Sequence, residues 1–409
     1  MIDIADPLIG LYWFAALLAI GVVLTIISKK IKVPDVLLLL LLGVIVGNVI
    51  DINLIEVIPS SILFVFSIFT LIMIVFVSSS EFKLKEVARL SPIAAKLSLL
   101  FLFFCIIFLT TAVHLLFFYG NWGWKDIFVS LMFATLMGDT SPDILLSLIQ
   151  KSKNRLLEVL EFESIVNTPL TVIIPLVIIE IYSGIISSNF IIHFLQQIMT
   201  GVGTGLVLGI VIFQLNYRRF YTAIGPLIVI ATILVTYALA EGINGNGILA
   251  ITTLGIVYGR LGLKDKLDLG KFTNMFTNFL KIIVFILIGL LIKFPSDQDF
   301  LINSLILFLI YLVIRYISVS ASFKNMPIKF KEKLFMSLNV PKGIAVSVVT
   351  FILLGLDIVA FNSIIPLIYL FILYSVILGS LATIFSSRLI NLKDGSSEVL
   401  KKVRKDSSS

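Results

Sequence analysis

Met137-Gly138-Asp139-Thr140-Ser141-Pro142-Asp143 places two carboxylates, two hydroxyls and a proline inside a long apolar run. Further along, Glu163-Ser164-Ile165-Val166-Asn167-Thr168-Pro169 adds another carboxylate, an amide and two more hydroxyls. Carboxylate oxygens flanked by hydroxyl and carbonyl oxygens suit protons and small hard cations rather than soft transition metals. The chemistry this points to is exchange of a proton for a monovalent cation, with Asp139, Asp143, Thr140, Ser141, Ser164, Asn167 and Thr168 as the candidate ion-binding and proton-exchange residues. A second polar interruption, Asn339-Val340-Pro341-Lys342-Gly343, carries the opposite charge. Asp139, Asp143, Glu163, Lys281 and Lys342 are the ionisable groups assigned to apolar segments. Each would cost about 2.5–3.5 kcal/mol unpaired at the bilayer centre, so pairing is required. Glu163 with Lys342 is the expected structural ion pair.

The elements that must hold these groups are membrane spans. The chain is 59% hydrophobic and only 13% charged, with 33 phenylalanines in 409 residues and a mean hydropathy of +1.12, which excludes an ordinary soluble domain. Apolar stretches of spanning length recur between residues 8 and 387, about thirteen in all. Among them are a fifth (125–149), a sixth (157–183) and a twelfth (332–354). They are continuous rather than alternating, which predicts helices and not a barrel. The reading is an all-α polytopic membrane protein: a single transmembrane domain over 1–390 and a basic cytoplasmic tail over 391–409.

A net charge of +7 could suggest nucleic acid, but its distribution points elsewhere. Lysines and arginines fall in every second loop, as in Lys29/Lys30/Lys32, Lys83/Lys85/Arg89, Lys151/Lys153/Arg155 and Lys324/Lys329/Lys331/Lys333. That is the positive-inside pattern of a multi-pass cell-membrane protein with its N-terminus outside and its C-terminus cytoplasmic. The first span is flanked by Asp3 and Asp6, unlike a signal peptide. The single cysteine, Cys105, lies within a span, so neither a disulfide framework nor a thiolate metal site is expected, and no cofactor is called for. Trp13, Trp122 and Trp124 fit an outer aromatic belt, and His114 and His193 fall near outer helix ends.

Pro142 interrupts the fifth span, and Pro341 beside Gly343 interrupts the twelfth. Proline removes an amide donor and clashes with the preceding turn. By the loop charges these spans run in opposite directions. Matched interruptions in oppositely oriented halves predict a transporter of inverted repeats with its site between two broken crossover helices.

Several segments together resemble the sodium/proton antiporters of the NhaP type, a branch of the monovalent cation/proton antiporters. They are Val33-Pro34-Asp35 with Gly43 and Gly47, Glu81-Phe82-Lys83-Leu84-Lys85-Glu86, the glycine-rich 245–259 stretch, Lys281 through Gly289, Pro341-Lys342-Gly343, and Glu163-Ser164 with Asn167. The resemblance covers nearly the whole chain. It implies an NhaA-like antiporter fold and a homodimer in the lipid bilayer, with monovalent cations and protons as partners. It also implies a transport core (93–183 and 299–388) moving against a scaffold and dimer part (1–90 and 185–295). Three positions that are acidic in that family are hydroxyls here: Ser78, Ser141 and Thr168. The exchange chemistry is therefore expected at the carboxylates of the fifth span.

The leading reading is secondary antiport, a cytoplasmic cation, Na+ first, leaving as H+ enters. Alternatives keep the fold and change the cargo to K+ or a proton-coupled solute, or make the chain a transport-inactive sensor. An intramembrane aspartyl protease would also use two aspartates, but Leu136 stands where such enzymes need glycine and no Tyr-Asp partner appears. A channel would need repeated carbonyls or charge rings, which the sequence lacks.

Overall fold

The computed structural model describes residues 7–31, 33–49, 60–80, 84–120, 123–141, 154–184, 190–217, 225–260, 266–356 and 358–390. All regular structure among them is helical. The first half comprises α1 (Pro7–Ile31), α2 (Asp35–Val49), α3 (Ser60–Ser80), α4 (Leu84–Phe104), α5 (Thr110–Phe117), α6 (Trp124–Leu136) and α7 (Arg155–Tyr182). A π-helical turn at Cys105–Leu109 joins α4 to α5 as one long rod. The second half comprises α8 (Phe190–Tyr217), α9 (Gly225–Gly242), α10 (Gly247–Arg260), α11 (Lys266–Leu291), α12 (Gln298–Ser322), α13 (Phe330–Leu338), α14 (Ile344–Leu356), α15 (Val359–Asn362), α16 (Ile365–Ile384) and α17 (Ser386–Leu389).

Helices are the required answer to these sequences, because a backbone in hydrocarbon must satisfy its own amides and carbonyls. Six segments among the described residues are long and apolar enough to cross a bilayer: Phe14–Ile31, Pro92–Phe117, Arg155–Tyr182, Gly225–Gly242, Gln298–Ser322 and Ile365–Ile384. Shorter apolar helices lie between them. Polar side chains mark the ends. Asn154 accepts the Leu156 amide at 2.8 Å to start α7, Asp297 accepts the Asp299 amide at 3.0 Å to start α12, and Glu332 accepts the Lys329 amide at 2.8 Å ahead of α13.

The last long helix, α16, is the most enclosed of the six. Its Phe371 meets Phe133 of α6 and Phe308 of α12 edge-on, at 5.0 and 5.3 Å between ring centres. On the periphery, α1 and α8 turn Val23, Ile26, Leu206 and Val207 outward, side chains suited to lipid. Close crossings depend on glycine. A Cβ on Gly43 of α2 would lie 2.7 Å from the Cα of Gly289 in α11. A Cβ on Gly255 of α10 would lie 2.6 Å from the Ser79 Cβ of α3. The 245–259 glycines thus serve contacts within the chain, with Gly259 against Ser80 and Gly245 against Gly201.

The second anticipated interruption is where the sequence puts it, and the first begins where the sequence puts it. α6 stops at Leu136, and residues 139–141 are non-helical. The chain between α13 and α14, residues 339–343, is non-helical as well. Pro142 and Asp143 lie outside the described residues.

Candidate functional site

The interruptions meet. The Ser141 amide donates to the Pro341 carbonyl at 2.8 Å, a direct backbone bond between segments far apart in the chain. Gly343 permits this approach, since a Cβ there would fall 2.7 Å from the Ser141 Cβ. Each interruption exposes backbone groups, and each is answered by a charged side chain from the other. The Lys342 ammonium donates to the Met137 carbonyl at 2.7 Å and the Asp139 carbonyl at 2.5 Å, at the negative end of α6. It also donates to the Tyr311 hydroxyl of α12 at 2.5 Å, and lies 4.6 Å from the centre of that ring. In return the Asp139 carboxylate faces the start of α14, where the Gly343 amide approaches its Oδ2 at 3.4 Å. The Lys342 amide donates to the Ser375 hydroxyl of α16 at 3.0 Å. The freed end of α13 is closed by Asn339, whose side-chain amide donates to Phe335 O at 2.9 Å and whose oxygen accepts from Thr383 at 3.3 Å.

Asp139 is 1% exposed and Thr140 4%. Along one face of α7 stand Glu163, Ser164 and Asn167, all buried. Asn167 reaches the first interruption, its Nδ2 donating to the Thr140 hydroxyl at 3.1 Å and lying 3.5 Å from Glu163 Oε1. Its oxygen accepts from Ser98 of α4. Thr168 is half-buried and donates its hydroxyl to the Ser164 carbonyl at 2.9 Å, within its own helix. The structure therefore brings together Asp139, Thr140, Ser141 and Asn167, with Ser164 beside them on α7. Asp143 falls outside the described residues, as does the side chain of Ser78.

The expected Glu163–Lys342 pair is corrected. Glu163 is held by Arg315 of α12: Nη2 donates to Oε2 at 2.7 Å, and Nη1 donates to Oε1. Both side chains are fully enclosed. The planar guanidinium matches a carboxylate with two parallel bonds, a geometry an ammonium cannot offer. Lys342 is instead taken up by three neutral oxygens at the crossing. Arg315 is a further ionisable group inside a span, beyond those read from the sequence, and its place in the run Val313-Ile314-Arg315-Tyr316 is the signal for it. Its guanidinium also lies 4.6 Å from the centre of the Phe101 ring. Tyr311 and Ser98 were likewise missed, because a lone hydroxyl in an apolar run carries little information before its neighbours are known. Lys281, also counted among the intramembrane charges, approaches Asp35 at the start of α2 at 3.6 Å. His114 is buried at 4% exposure, stacked against Phe118.

The arrangement gathers a buried carboxylate, a hydroxyl, an amide and backbone oxygens where the chain leaves α6 and where α13 gives way to α14. The basic side chains of Lys342 and Arg315 already stand beside it. Such a site can trade a bound proton for a cation without assembling new groups.

Comparison with known proteins follows the same line. The family model described as "Sodium/hydrogen exchanger, transmembrane" matches residues 15–386. The chain is 24% identical over 351 residues to "Probable Na(+)/H(+) antiporter 2" of Methanocaldococcus jannaschii, covering 81% of each chain. It is 25% identical over 360 residues to "Na(+)/H(+) antiporter 1" of the same organism, covering 80% of this chain and 79% of that one. Among solved structures, the sodium proton antiporter MjNhaP1 from Methanocaldococcus jannaschii at pH 8 superposes with a TM-score of 0.79 at 20% identity, over 96% of this chain and 99% of that one. That last likeness establishes a common fold.

Proposed function

This chain belongs to the sodium/hydrogen exchanger family, and on that premise we propose that it exchanges a monovalent cation, Na+ first, for H+ across the membrane. Two Methanocaldococcus jannaschii relatives carry Na(+)/H(+) antiporter names, which supports Na+ over K+ as the cargo. The observation that carries the reading is Asp139, a buried carboxylate at the point where two interrupted helices are bonded to each other.

In this mechanism Asp139 takes a proton from one side of the membrane. The proton leaves as a cation arrives, so the carboxylate is neutralised in either case. Thr140, Ser141, Ser164 and Thr168 supply uncharged oxygens around the cation, and Asp143 is the second acid of the same segment. Arg315 balances Glu163, and Lys342 balances Asp139 while it is ionised between losing the proton and taking the cation, which lowers the penalty of holding both carboxylates in hydrocarbon. Glu163 is thereby kept out of the exchange, bound to Arg315.

Alternating access divides the chain into a transport core (93–183 and 299–388) and a scaffold and dimer part (1–90 and 185–295). Packing is in keeping with this division: α11 lies along α2 and α8 along α10, whereas α4 lies against α7 and α12. α14 packs on α3, and that contact is the surface along which the parts would slide. The alternating loop charges support an outside N-terminus and a cytoplasmic C-terminus. The homodimer follows from the family resemblance.

The test is exchange in proteoliposomes carrying a pH gradient, with Na+, Li+ and K+ supplied in turn. The wild type dissipates the gradient with Na+, and D139N does not. Full activity in both D139N and D143N would refute carboxylate exchange at this segment. Gradient collapse by K+ alone would change the cargo, and no collapse by any cation would leave the sensor reading.

A further inference from the structure

Asn167 presents a chemical mismatch to the function just proposed. Its side-chain nitrogen, a donor, faces Thr140 at 3.1 Å, while its oxygen is turned away toward Ser98. A cation at the crossing needs oxygen lone pairs, and an N–H group aimed at it repels it. Asn167 is 2% exposed and Ser98 is fully buried, so no bulk water can replace either partner.

We infer that Ser98 is a positioning residue for the exchange site, setting the direction of the Asn167 amide and allowing it to turn over as cation replaces proton. In the orientation seen, the Ser98 hydroxyl donates to Asn167 Oδ1. After a half-turn of the amide, the same hydroxyl accepts from Nδ2, and Oδ1 faces the crossing beside Thr140. A hydroxyl is the smallest group that can be donor in one state and acceptor in the other. Alanine can be neither, and it penalises the turned-over, cation-bound state more: there Nδ2 loses its acceptor, whereas in the orientation seen Nδ2 keeps Thr140 and Glu163 and only an acceptor oxygen is left over. Thr140 is suited to the complementary change, accepting from Nδ2 now and directing lone pairs to the cation later. Glu163 Oε1, 3.5 Å from Nδ2 and already bonded to Arg315, adds a weaker pull that holds the nitrogen inward while the cation is absent.

The inference rests on the exchange reading, and the experiment separates the two. S98A, N167A and the double variant are reconstituted, and the KM for Na+ and the maximal exchange rate are measured. Loss of one net hydrogen bond in the cation-bound state predicts an S98A KM raised about five- to tenfold, with the maximal rate within about twofold. The double variant should be no worse than N167A alone, because Ser98 acts only through Asn167. A role confined to packing α4 on α7 would lower yield and rate and leave KM in place. An unchanged KM in S98A, or multiplying effects in the double variant, overturns the inference while leaving Na+/H+ exchange intact. If the wild type exchanges no cation, the functional proposal fails instead. Ser98 is then judged by the Na+-dependent rise in melting temperature, and the inference stands only if S98A reduces that rise. A wild type showing neither exchange nor Na+-dependent stabilisation overturns both.

Discussion

Replacing Arg315 by methionine should be among the most destabilising single changes in this molecule. The side chain is fully buried, and its two guanidinium nitrogens both bond to Glu163, itself fully buried. Methionine fills much of the volume but strands the carboxylate, with Asn167 Nδ2, at 3.5 Å, as its remaining close donor among the described residues. Removing one partner of a buried ion pair costs about 3–5 kcal/mol. The melting temperature moves about 2–4 °C per kcal/mol in domains of 150–250 residues, and about half that at this length, so R315M should melt roughly 3–10 °C lower in detergent. Adding E163L removes the stranded charge, and the pair R315M/E163L should recover most of the loss, since apolar replacement of a whole buried pair is often neutral. K342M is the control. Had Lys342 been the partner of Glu163, K342M and E163L would show the strong coupling, and R315M and E163L would simply add. Coupling below about 0.5 kcal/mol between positions 315 and 163 would refute the assignment of this pair.

Two further outcomes follow from the crossing. G343A puts a Cβ 2.7 Å from the Ser141 Cβ, so the Ser141–Pro341 backbone bond should lengthen or break. We expect exchange reduced at least tenfold, about 1.4 kcal/mol in the rate-determining state, with expression retained; wild-type exchange would show that the contact is dispensable. Y311F removes one of the three oxygens that accept from Lys342. Loss of a hydrogen bond to a buried cation should cost about 1.5–3 kcal/mol, read as a lower melting temperature, and K342M should abolish the effect of Y311F.

Much of the architecture could be read from the residues because membrane helices are local objects. Apolar length marks a span, and proline beside glycine marks its interruption; Pro341 and Gly343 sit where helix is absent. That two interruptions would lie together was also legible, from their charges and opposed orientations. Which cation serves which acid was not. Arg315 and Lys342 are both buried cations, and the choice between them depends on how α7, α12 and the crossing sit in three dimensions. Planarity decided it: the fork took the carboxylate, and the point charge took three carbonyl and hydroxyl oxygens. Ser98 was illegible for a different reason. Serine is common in helices of this kind, and only the nearby Asn167 amide gives it a part.

On the 137–141 side, the bonds that lock the crossing are made largely by main chain: Ser141 N to Pro341 O, and the carbonyls of Met137 and Asp139 to the Lys342 ammonium. Changing the side chains at 140 and 141 leaves these bonds in place. The knot is tied in peptide groups, and its lining is interchangeable. A carrier built this way can change which ion it prefers by altering a few linings, while the mechanical parts that swing stay as they were.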